Sequence, residues 1–350
     1  MIPNYSAHSS ESLGATEVPQ ARTVGRRRLL LLAAVLPLAA WRMSQTAQAA
    51  PLRWQGMALG APASLILHQG GDTAGAQAAL TATLAELERL EAMFSLFRAD
   101  SVISRLNHAG RINNAPAEFV TLLHQALDMA ARSGGVFDPS IGPLWSLYFE
   151  HFVVGGHSQP PAAALVERAR ALVDWRAVQL AGPDVTLVRP GMSLSLNGIA
   201  QGFITDRCSE VLRAYGFSQM LVDMGEPRAI AAKPDGSAWQ IGLADPRQPG
   251  RALHTLSVLD QAVATSGGYG TLLDAAGLYT HLINPHTGRT APAFESVTVL
   301  AATATQADAL STTLALISDS DVSARLALLR TQPGCRAICI NDAGLVSELS

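Results

Sequence analysis

The chain has 350 residues, of which 48% are apolar and 15% are charged. This length and composition allow a sizeable core, as one large domain or two interleaved lobes, and we expect one domain. Five of the 25 basic and two of the 28 acidic residues precede residue 50, so the remainder carries a formal charge of −6. This excess of negative charge argues against nucleic acid or an anionic membrane as a partner.

The first 49 residues follow the three-part plan of a secretory signal. Three consecutive arginines at 26–28 precede an uncharged Leu/Ala-rich run at 29–40, and the small-x-small pattern Ala47-Gln48-Ala49 follows. This order predicts a signal peptide over 1–49, cut near Ala49, and a mature domain over 50–350. The consecutive arginines favour the twin-arginine route, so we expect the mature protein in the periplasm. A transmembrane anchor is the competing interpretation, but the apolar run is short for a span.

A strand and two helices are predicted in the first part of the mature chain. Residues 54–68 alternate loosely between apolar and polar side chains, which predicts one strand. Apolar residues recur at helical spacing over 73–97, which predicts a long amphipathic helix. Residues 118–132 predict a second amphipathic helix, with Gly134 and Gly135 as its C-terminal cap.

The middle of the chain is predicted to be more irregular. Glycine, proline and serine are frequent over 152–161, so we expect a loop there before a helix at 162–173. Two short strands should form a hairpin around residues 182–184. A short strand at 192–196 and a helix at 203–215 are expected to follow.

Short alternating runs dominate the last third of the chain. A strand is predicted at 220–223, and an antiparallel sheet within 239–283, where proline and glycine interrupt the runs. The remaining expected elements are a strand at 296–300, helices at 305–317 and 321–329, and a strand at 336–340. Because helices alternate irregularly with hairpins, the sequence predicts an α+β fold: a single large domain with mixed or antiparallel sheets and packed helices.

The chain has three cysteines, which are too few for a disulfide framework. Cys208 lies in a helix-like run and is expected to be a small core residue. A single bridge between Cys335 and Cys339 is left open for an oxidising compartment.

Residues 195–206, S-L-N-G-I-A-Q-G-F-I-T-D, join a predicted strand to a predicted helix. Gly198 and Gly202 flank the junction. A glycine turn that feeds a helix leaves free backbone N–H groups at the helix start, which suits a phosphate or another anion. Taken alone, such small residues more often reflect close packing of the two elements, so other motifs must decide.

Four other segments carry polar or turn-forming groups in a recognisable order. They read G-V-F-D-P-S-I-G-P-L-W at 135–145, V-A-T-S-G-G-Y at 263–269, T-H-L-I-N-P-H-T-G-R at 280–289 and A-D-A-L-S-T-T-L-A-L-I at 307–317. Together with residues 195–206, they resemble the ApbE family of flavin transferases. The resemblance runs from about residue 57 to about residue 340.

The resemblance implies transfer of FMN from FAD onto a threonine or serine of an acceptor protein, with Mg²⁺. Cleaving the pyrophosphate requires neutralisation of charge on phosphate oxygens, and Mg²⁺ is a hard ion that takes oxygen ligands. Asp308 and Thr312 lie one helical turn apart, and the resemblance supplies the carbonyl of Gly198 as a third ligand. Without the resemblance, Asp308 would be a helix-terminal charge and Thr312 a packing residue.

The resemblance also assigns residues to the reaction and to the nucleotide. His281 matches a histidine near the pyrophosphate, and two roles stay open for it: orienting a phosphate oxygen or taking the proton of the acceptor hydroxyl. The positions matched to FAD binding are Leu59, Phe97, Val136, Phe137, Asp138, Ser195, Gln201, Thr265 and Ile283.

The chain departs from the family pattern at three charged positions. Ser195, Gln201 and Asn284 stand where the pattern has aspartate, lysine and aspartate. Each keeps a hydrogen-bonding side chain, so FAD binding is expected to persist, whereas turnover is less secure. Two alternatives therefore remain, namely hydrolysis of FAD to FMN and AMP, and a flavin-binding accessory protein with weak catalysis.

The expected partners are FAD and an acceptor flavoprotein of a membrane-bound or periplasmic electron-transfer system. This expectation follows from Gly225-Glu226, which resembles the version found in exported family members that serve nitrous-oxide respiration. Neither nucleic acid nor a membrane anchor in the mature chain is expected.

Overall fold

A computed structural model describes residues 50–68, 73–245, 247–248, 251–290, 296–317, 321–341 and 344–350. These residues belong to one compact unit. The predicted signal peptide, residues 1–49, lies outside the described residues, so its cleavage and export stay predictions. Within the described ranges, no helix is long and apolar enough to cross a membrane.

The described residues form thirteen strands: β1 (Leu52–Ala58), β2 (Ala61–Leu67), β3 (Arg111–Ile112), β4 (Val178–Ala181), β5 (Asp184–Leu187), β6 (Met220–Asp223), β7 (Pro227–Ile230), β8 (Trp239–Ala244), β9 (Ala252–Val258), β10 (Ala262–Gly267), β11 (Ser296–Ala301), β12 (Arg336–Ile340) and β13 (Val346–Leu349). They also form eight α-helices: α1 (Thr73–Phe94), α2 (Val102–Ala109), α3 (Ala117–Arg132), α4 (Gly142–Phe149), α5 (Ala163–Arg170), α6 (Ala200–Ala214), α7 (Ala304–Leu316) and α8 (Val322–Arg330). A π-helical turn, Glu150–Val154, extends α4, and a 3₁₀ turn, Trp175–Ala177, precedes β4.

The strands form three sheets. The largest has eight strands in the order β1-β2-β6-β7-β10-β11-β12-β13; β3-β5-β4 form a second sheet, and β8-β9 a third. Every pair of neighbouring strands in the described residues is antiparallel. Helices are interspersed with these antiparallel units, which confirms the predicted α+β fold.

The main core lies between one face of the large sheet and the helices α1, α6 and α7. Helix α7 packs on β10 and β11 and is buried on nearly every side. A Cβ built on Gly202 of α6 would lie 2.2 Å from the carbonyl oxygen of Ala304 at the start of α7. Glycine at this position therefore allows α6 and α7 to approach closely, which brings the turn before α6 against α7.

The opposite face of the large sheet is covered by the β8–β9 hairpin. Strand β10 shows the division, because Ala262 and Ala264 belong to the main core while Val263 between them packs with Trp239 of β8 and Val258 of β9. Alternate side chains of a strand point to opposite faces, so one strand serves both layers. The hairpin thus forms a separate layer behind the main sheet.

The single strand predicted at 54–68 was wrong, since the segment folds as a hairpin of β1 and β2. Leu59 and Gly60 form its two-residue turn with φ angles of 46° and 82°. Two positive φ angles match the twist of a hairpin, but leucine is an unusual residue for the first of them. The Leu59 N–H donates to the Glu91 carboxylate at 2.6 Å, which helps to hold the turn.

The strand predicted at 192–196 was also wrong. This segment makes only an isolated parallel bridge, between Ile141 and Ser193. The side chain of Asn107 replaces a strand neighbour, because its Nδ2 donates to the Leu194 carbonyl at 2.9 Å and its Oδ1 accepts from the Leu194 N–H at 2.7 Å. The backbone is thus satisfied without a sheet.

The other predicted helices and strands are confirmed, with ends that differ by up to about three residues. The single antiparallel sheet predicted within 239–283 was wrong, because β8 and β9 form their own sheet while β10 joins the large one. The loop predicted at 152–161 begins within the π-helical turn Glu150–Val154. Cys335 directly precedes β12 and Cys339 lies within it, and both are buried. Four residues along an extended strand span about 13 Å, far beyond the Cα separation that a disulfide allows. A bridge between these two cysteines is therefore excluded by the fold.

Candidate active site

A cavity of about 330 Å³ opens between the turn before α6, the side of α7 and the loop that follows β10. Eleven of the thirteen residues assigned by the family resemblance line it: Val136, Phe137, Asp138, Ser195, Gly198, Gln201, Thr265, His281, Ile283, Asp308 and Thr312. These residues come from five separated segments of the chain. The fold therefore brings together what the sequence only places in order.

The turn before α6 lies directly on α7. A Cβ built on Gly198 would lie 2.9 Å from Cγ2 and 3.0 Å from Oγ1 of Thr312, and 3.3 Å from the ring of Phe137. The Ser195 N–H donates to the Pro139 carbonyl at 2.8 Å, which holds the turn against the loop that carries Phe137. Glycine at 198 therefore puts the backbone of the turn next to the Thr312 hydroxyl.

Asp308 places a buried carboxyl group at the centre of this contact. Its Oδ2 accepts the Gly202 N–H at 3.0 Å, across the α6–α7 interface. The pKa of Asp308 is raised to about 7, mainly by its removal from water and also by the charge of Asp206, against the opposing effect of that hydrogen bond. A carboxylate in such a place is costly unless a cation or further donors accompany it.

Glu226 is a second poorly hydrated carboxyl group on the cavity wall. Its Oε2 accepts the Thr265 N–H at 3.2 Å. Burial raises the pKa of Glu226 well above its usual value, and the charges of Asp308 and Asp223 raise it further. Two carboxyl groups that oppose each other's ionisation favour a cation in the space they share.

The start of α7 is fixed from outside the helix by Asp206 of α6. Its Oδ1 accepts the Ala304 N–H, and its Oδ2 the Thr305 N–H, both at 2.9 Å, while the Thr305 hydroxyl donates at 2.6 Å. Arg228 pairs with the same carboxylate at 2.5 Å. An anion at a helix N-terminus is favourable, and this one sets the position of Asp308 one turn further along.

Hydroxyl groups continue the polar strip along α7. Thr312 Oγ1 lies 3.2 Å from Ser266 Oγ, which lies 2.8 Å from Ser311 Oγ. Ser266 itself lines the cavity from β10. The strip therefore offers hydroxyl, carboxyl and carbonyl oxygens and no thiolate.

His281 lies on the wall formed by the loop after β10. Its Nδ1 is 3.3 Å from the Thr271 carbonyl, which can only accept, so Nδ1 carries the proton and Nε2 is left as an acceptor. Burial lowers the pKa of His281 below its usual value, which favours the neutral ring. A neutral imidazole with a free acceptor nitrogen can take a proton.

Asp138 and Asn284 both organise turns beside the cavity. The Asp138 carboxylate accepts the Ser140 N–H at 2.8 Å, the Ser140 hydroxyl at 2.7 Å and the Trp175 N–H at 3.2 Å. Burial raises the pKa of Asp138 despite these bonds. Asn284 Oδ1 accepts two N–H groups, and its Nδ2 donates to the Leu316 carbonyl at 3.3 Å, a bond that the aspartate of the family pattern could not donate.

Leu59 and Phe97 do not line the cavity. Leu59 lies in the β1–β2 turn, and Ala61, two residues further along, lines the cavity instead. Phe97 is 71% exposed, and its ring is 5.9 Å from that of Phe149, which lies 5.6 Å from Trp145 on the cavity wall. Their assignment to the flavin stays a prediction.

The sequence did not single out several residues that the fold brings to the site. Glu226 was visible only as part of a motif match, and Trp145 and Asn197 also line the cavity. Asp206 ends the 195–206 motif, but its role was not visible, because its three partner residues, Arg228, Ala304 and Thr305, are distant in sequence.

The chain is similar in sequence to known proteins. The family model described as the ApbE family matches residues 59–339. An FAD:protein FMN transferase of Treponema pallidum is 33% identical over 291 residues, covering 75% of this chain and 77% of that protein. One from Haemophilus influenzae is 29% identical, covering 72% and 76%.

Solved structures show the same fold. The apo form of the flavinyl transferase ApbE of Pseudomonas stutzeri superposes with a TM-score of 0.74 at 26% identity, covering 86% of this chain and 95% of that one. The ApbE protein of Thermotoga maritima gives 0.77 at 24% identity, covering 86% and 97%. The family model matches most of this chain, and the family's motifs lie together at one cavity, so this chain belongs to the ApbE family.

Proposed function

We propose that this protein transfers FMN from FAD to a serine or threonine hydroxyl of an acceptor protein and releases AMP, with Mg²⁺ bound at the cavity. The observation that carries the proposal is the convergence of eleven matched residues, from five segments, on one cavity. The names of the Treponema pallidum and Haemophilus influenzae relatives support the same activity.

The groups at the cavity fit a hard divalent cation. Asp308 keeps Oδ1 available because Oδ2 accepts the Gly202 N–H, and the Thr312 hydroxyl and the Gly198 backbone meet beside it. In the described part of the chain, no group of three His, Cys, Asp or Glu residues could hold a metal, so a site here must include hydroxyl or backbone oxygens. Bound there, Mg²⁺ would neutralise charge on the pyrophosphate oxygens.

His281 is the candidate proton acceptor. In the proposed step, the acceptor hydroxyl oxygen bonds to the phosphorus of the FMN half, and the bond from that phosphorus to the bridging oxygen breaks. The bridging oxygen leaves with AMP, and the hydroxyl proton passes to Nε2 of His281. The Nδ1–H bond to the Thr271 carbonyl holds the ring in the tautomer that this step requires.

Two uncharged residues stand at the cavity where the family pattern has charged ones, and they leave two alternative functions to be tested. Ser195 and Gln201 both line the cavity and supply hydrogen bonds without charge. Weaker binding of the acceptor would leave hydrolysis of FAD to FMN and AMP, and weaker binding of the pyrophosphate would leave a flavin carrier.

Mass analysis of an acceptor incubated with FAD and Mg²⁺ distinguishes these outcomes. A covalent FMN adduct on a serine or threonine is expected. Free FMN and AMP without an adduct would indicate hydrolysis, and neither product would indicate a carrier. FAD should also bind in preference to ATP or NAD in a fluorescence titration, and equal binding of ATP would contradict the proposal.

We place the mature protein in the periplasm, acting on a flavoprotein of a membrane-bound or periplasmic electron-transfer system. The support is the arginine cluster, the short apolar run and the Ala47-Gln48-Ala49 pattern, in that order. Replacing Arg26, Arg27 and Arg28 by lysine should hold the uncut form in the cytoplasm, as shown by fractionation. Unchanged export would exclude the twin-arginine route.

A further inference from the structure

A second cavity, of about 420 Å³, lies behind one wall of the candidate active site. Gly225, Glu226 and Thr265 line both cavities and so form the wall between them. None of the site residues assigned from the sequence other than Thr265 faces this second space. A group that occupies it would lie within one side chain of the proposed reaction site.

The floor and the side of this second cavity have different origins. Leu221 and Asp223 of β6, and Val263 and Thr265 of β10, line it as alternate residues, so the floor is a face of the large sheet. By contrast, the five consecutive residues 240–244 of β8 line its side. A strand face contributes alternate residues, whereas a strand edge contributes consecutive ones, so the side is the edge of β8.

This edge of β8 is open to pairing. Within the described residues, β8 pairs with β9 alone, in a two-stranded sheet. An unpaired strand edge presents N–H and C=O groups that recognise another extended backbone. Five residues of strand give an edge about 16 Å long, enough for a segment of similar length.

The lining chemistry favours a polypeptide over a second phosphate-bearing ligand. The second cavity is called the groove from here on. No lysine, arginine or histidine is among the described residues that line the groove, whereas Asp223 and Glu226 are both present. Leu221 and Val263 add apolar surface to the floor. Carboxyl groups beside a phosphate would repel it, while they accept hydrogen bonds from hydroxyl and N–H groups.

We propose that this groove binds an extended segment of the acceptor protein as an additional strand along β8, and that its serine or threonine reaches the reaction site past Glu226. This inference rests on the proposed transferase function. Glu226 lines both cavities and accepts the Thr265 N–H with Oε2, so its carboxyl group can hydrogen-bond the incoming hydroxyl at the shared wall. Glu226 is then a positioning residue for the hydroxyl, and His281 remains the proton acceptor.

Gly242 offers a test that spares the reaction site. It lies in the middle of the β8 edge, and a Cβ built there would meet only Ala252 Cβ, at 3.4 Å, so a larger side chain can be accommodated. Thr255 is its cross-strand partner on β9, is exposed and does not line the groove. Cross-strand partners point to the same face of a hairpin, so Gly242→Arg and Thr255→Arg add the same side chain to the same exposed face. The first lies directly beside the β8 edge that the incoming strand would use, and the second lies one strand further away.

Both variants and the wild-type protein would be incubated with FAD, MgCl₂ and a library of synthetic peptides, each about twelve residues long with a central threonine. Mass spectrometry would count FMN-labelled peptides. FAD affinity and the amount of free FMN formed by hydrolysis would report on the candidate active site. Gly242→Arg should lower labelling about 10-fold or more and leave the other two readouts unchanged. Thr255→Arg should match the wild type.

Hydrogen exchange gives a second measurement on unmodified protein. A peptide that the wild type labels with FMN would be synthesised again with alanine in place of its threonine. This peptide should slow exchange of amides within residues 240–244 and leave exchange in the β3–β5–β4 sheet unchanged. Equal labelling by Gly242→Arg and the wild type would overturn the proposal, as would FAD cleavage by the wild type without labelling of any peptide. Absence of both FAD binding and FAD cleavage would instead remove the proposed function and this inference with it.

Discussion

Two buried carboxyl groups near the first turn of α7 differ in how many hydrogen-bond donors surround them. At the start of the helix, Asp206 is surrounded by donors, with two N–H groups, the Thr305 hydroxyl and Arg228 on its two oxygens. One turn further, Asp308 is equally buried but has one donor, the Gly202 N–H. The first carboxylate is complete within the protein, whereas the second has an oxygen available for a ligand.

This difference in pairing distinguishes a charge that stabilises the fold from a charge that is suited to binding a ligand. A fully paired carboxylate contributes to the fold because its removal would leave an arginine and several N–H groups unpaired. A poorly paired one is unfavourable to the fold by itself, and its pKa is raised to about 7 by burial. Such a cost is typical of groups that become stabilised only when a ligand binds.

The largest effect on stability is expected from Asp206→Ala. Removing the carboxylate leaves Arg228 and the start of α7 without their partner, so the free energy of unfolding should fall by about 3–5 kcal/mol. Urea denaturation measures this loss. Asp128→Ala, which removes an exposed i,i+4 pair with Arg132, is the control and should cost less than about 1 kcal/mol. Similar losses for both variants would contradict the structural role of Asp206.

A smaller effect is expected from Gly202→Ala, which tests the contact that joins the two regions. The added Cβ would lie 2.2 Å from the Ala304 carbonyl oxygen, so α6 and α7 must separate. Overpacking of this kind should cost about 1–3 kcal/mol of unfolding free energy. Gly242→Ala, which meets no such contact, is the matched control. A Gly202→Ala protein as stable as its control would show that the interface is looser than described.

The pH dependence of stability should distinguish Asp308 by a still smaller amount. Its folded pKa is raised to about 7 from the usual value of 3.8, so the folded protein binds more protons than the unfolded chain between these values. Metal-free stability should therefore fall as pH rises through this window. Asp308→Asn should reduce the fall by at least about 1.4 kcal/mol, the equivalent of one pKa unit. Parallel melting profiles for the two proteins, measured with a chelator from pH 5 to 8, would contradict this account.

Periodic segments could be predicted from the sequence, and irregular contacts could not. Helix α3 and strands β6 and β12 were expected close to their observed bounds, because their apolar spacing is local information. The β1–β2 turn was missed since Leu59 in a left-handed conformation carries no turn signal. Strand β13 was missed because its pairing with β12, and not its composition, defines it.

The same division holds for the candidate site. Motif order identified Asp308, Thr312 and Gly198 together, and the structure places all three on one cavity. The role of Asp206 depends on partners about a hundred residues away, and the position of Glu226 between two cavities depends on strand packing. Neither relation is encoded in local spacing, so sequence reasoning could not reach them.

The most direct test of the account is the Mg²⁺ dependence of FMN transfer by the wild type and Asp308→Asn. Asparagine keeps an acceptor for the Gly202 N–H but removes the charge that a cation requires, so stability should be retained. At limiting Mg²⁺, transfer should fall about 10²-fold or more, equivalent to about 2.7 kcal/mol of barrier, as for loss of one preorganised electrostatic contact. Equal transfer rates at limiting Mg²⁺, with both proteins folded, would show that Asp308 does not hold the proposed Mg²⁺ and would contradict the account.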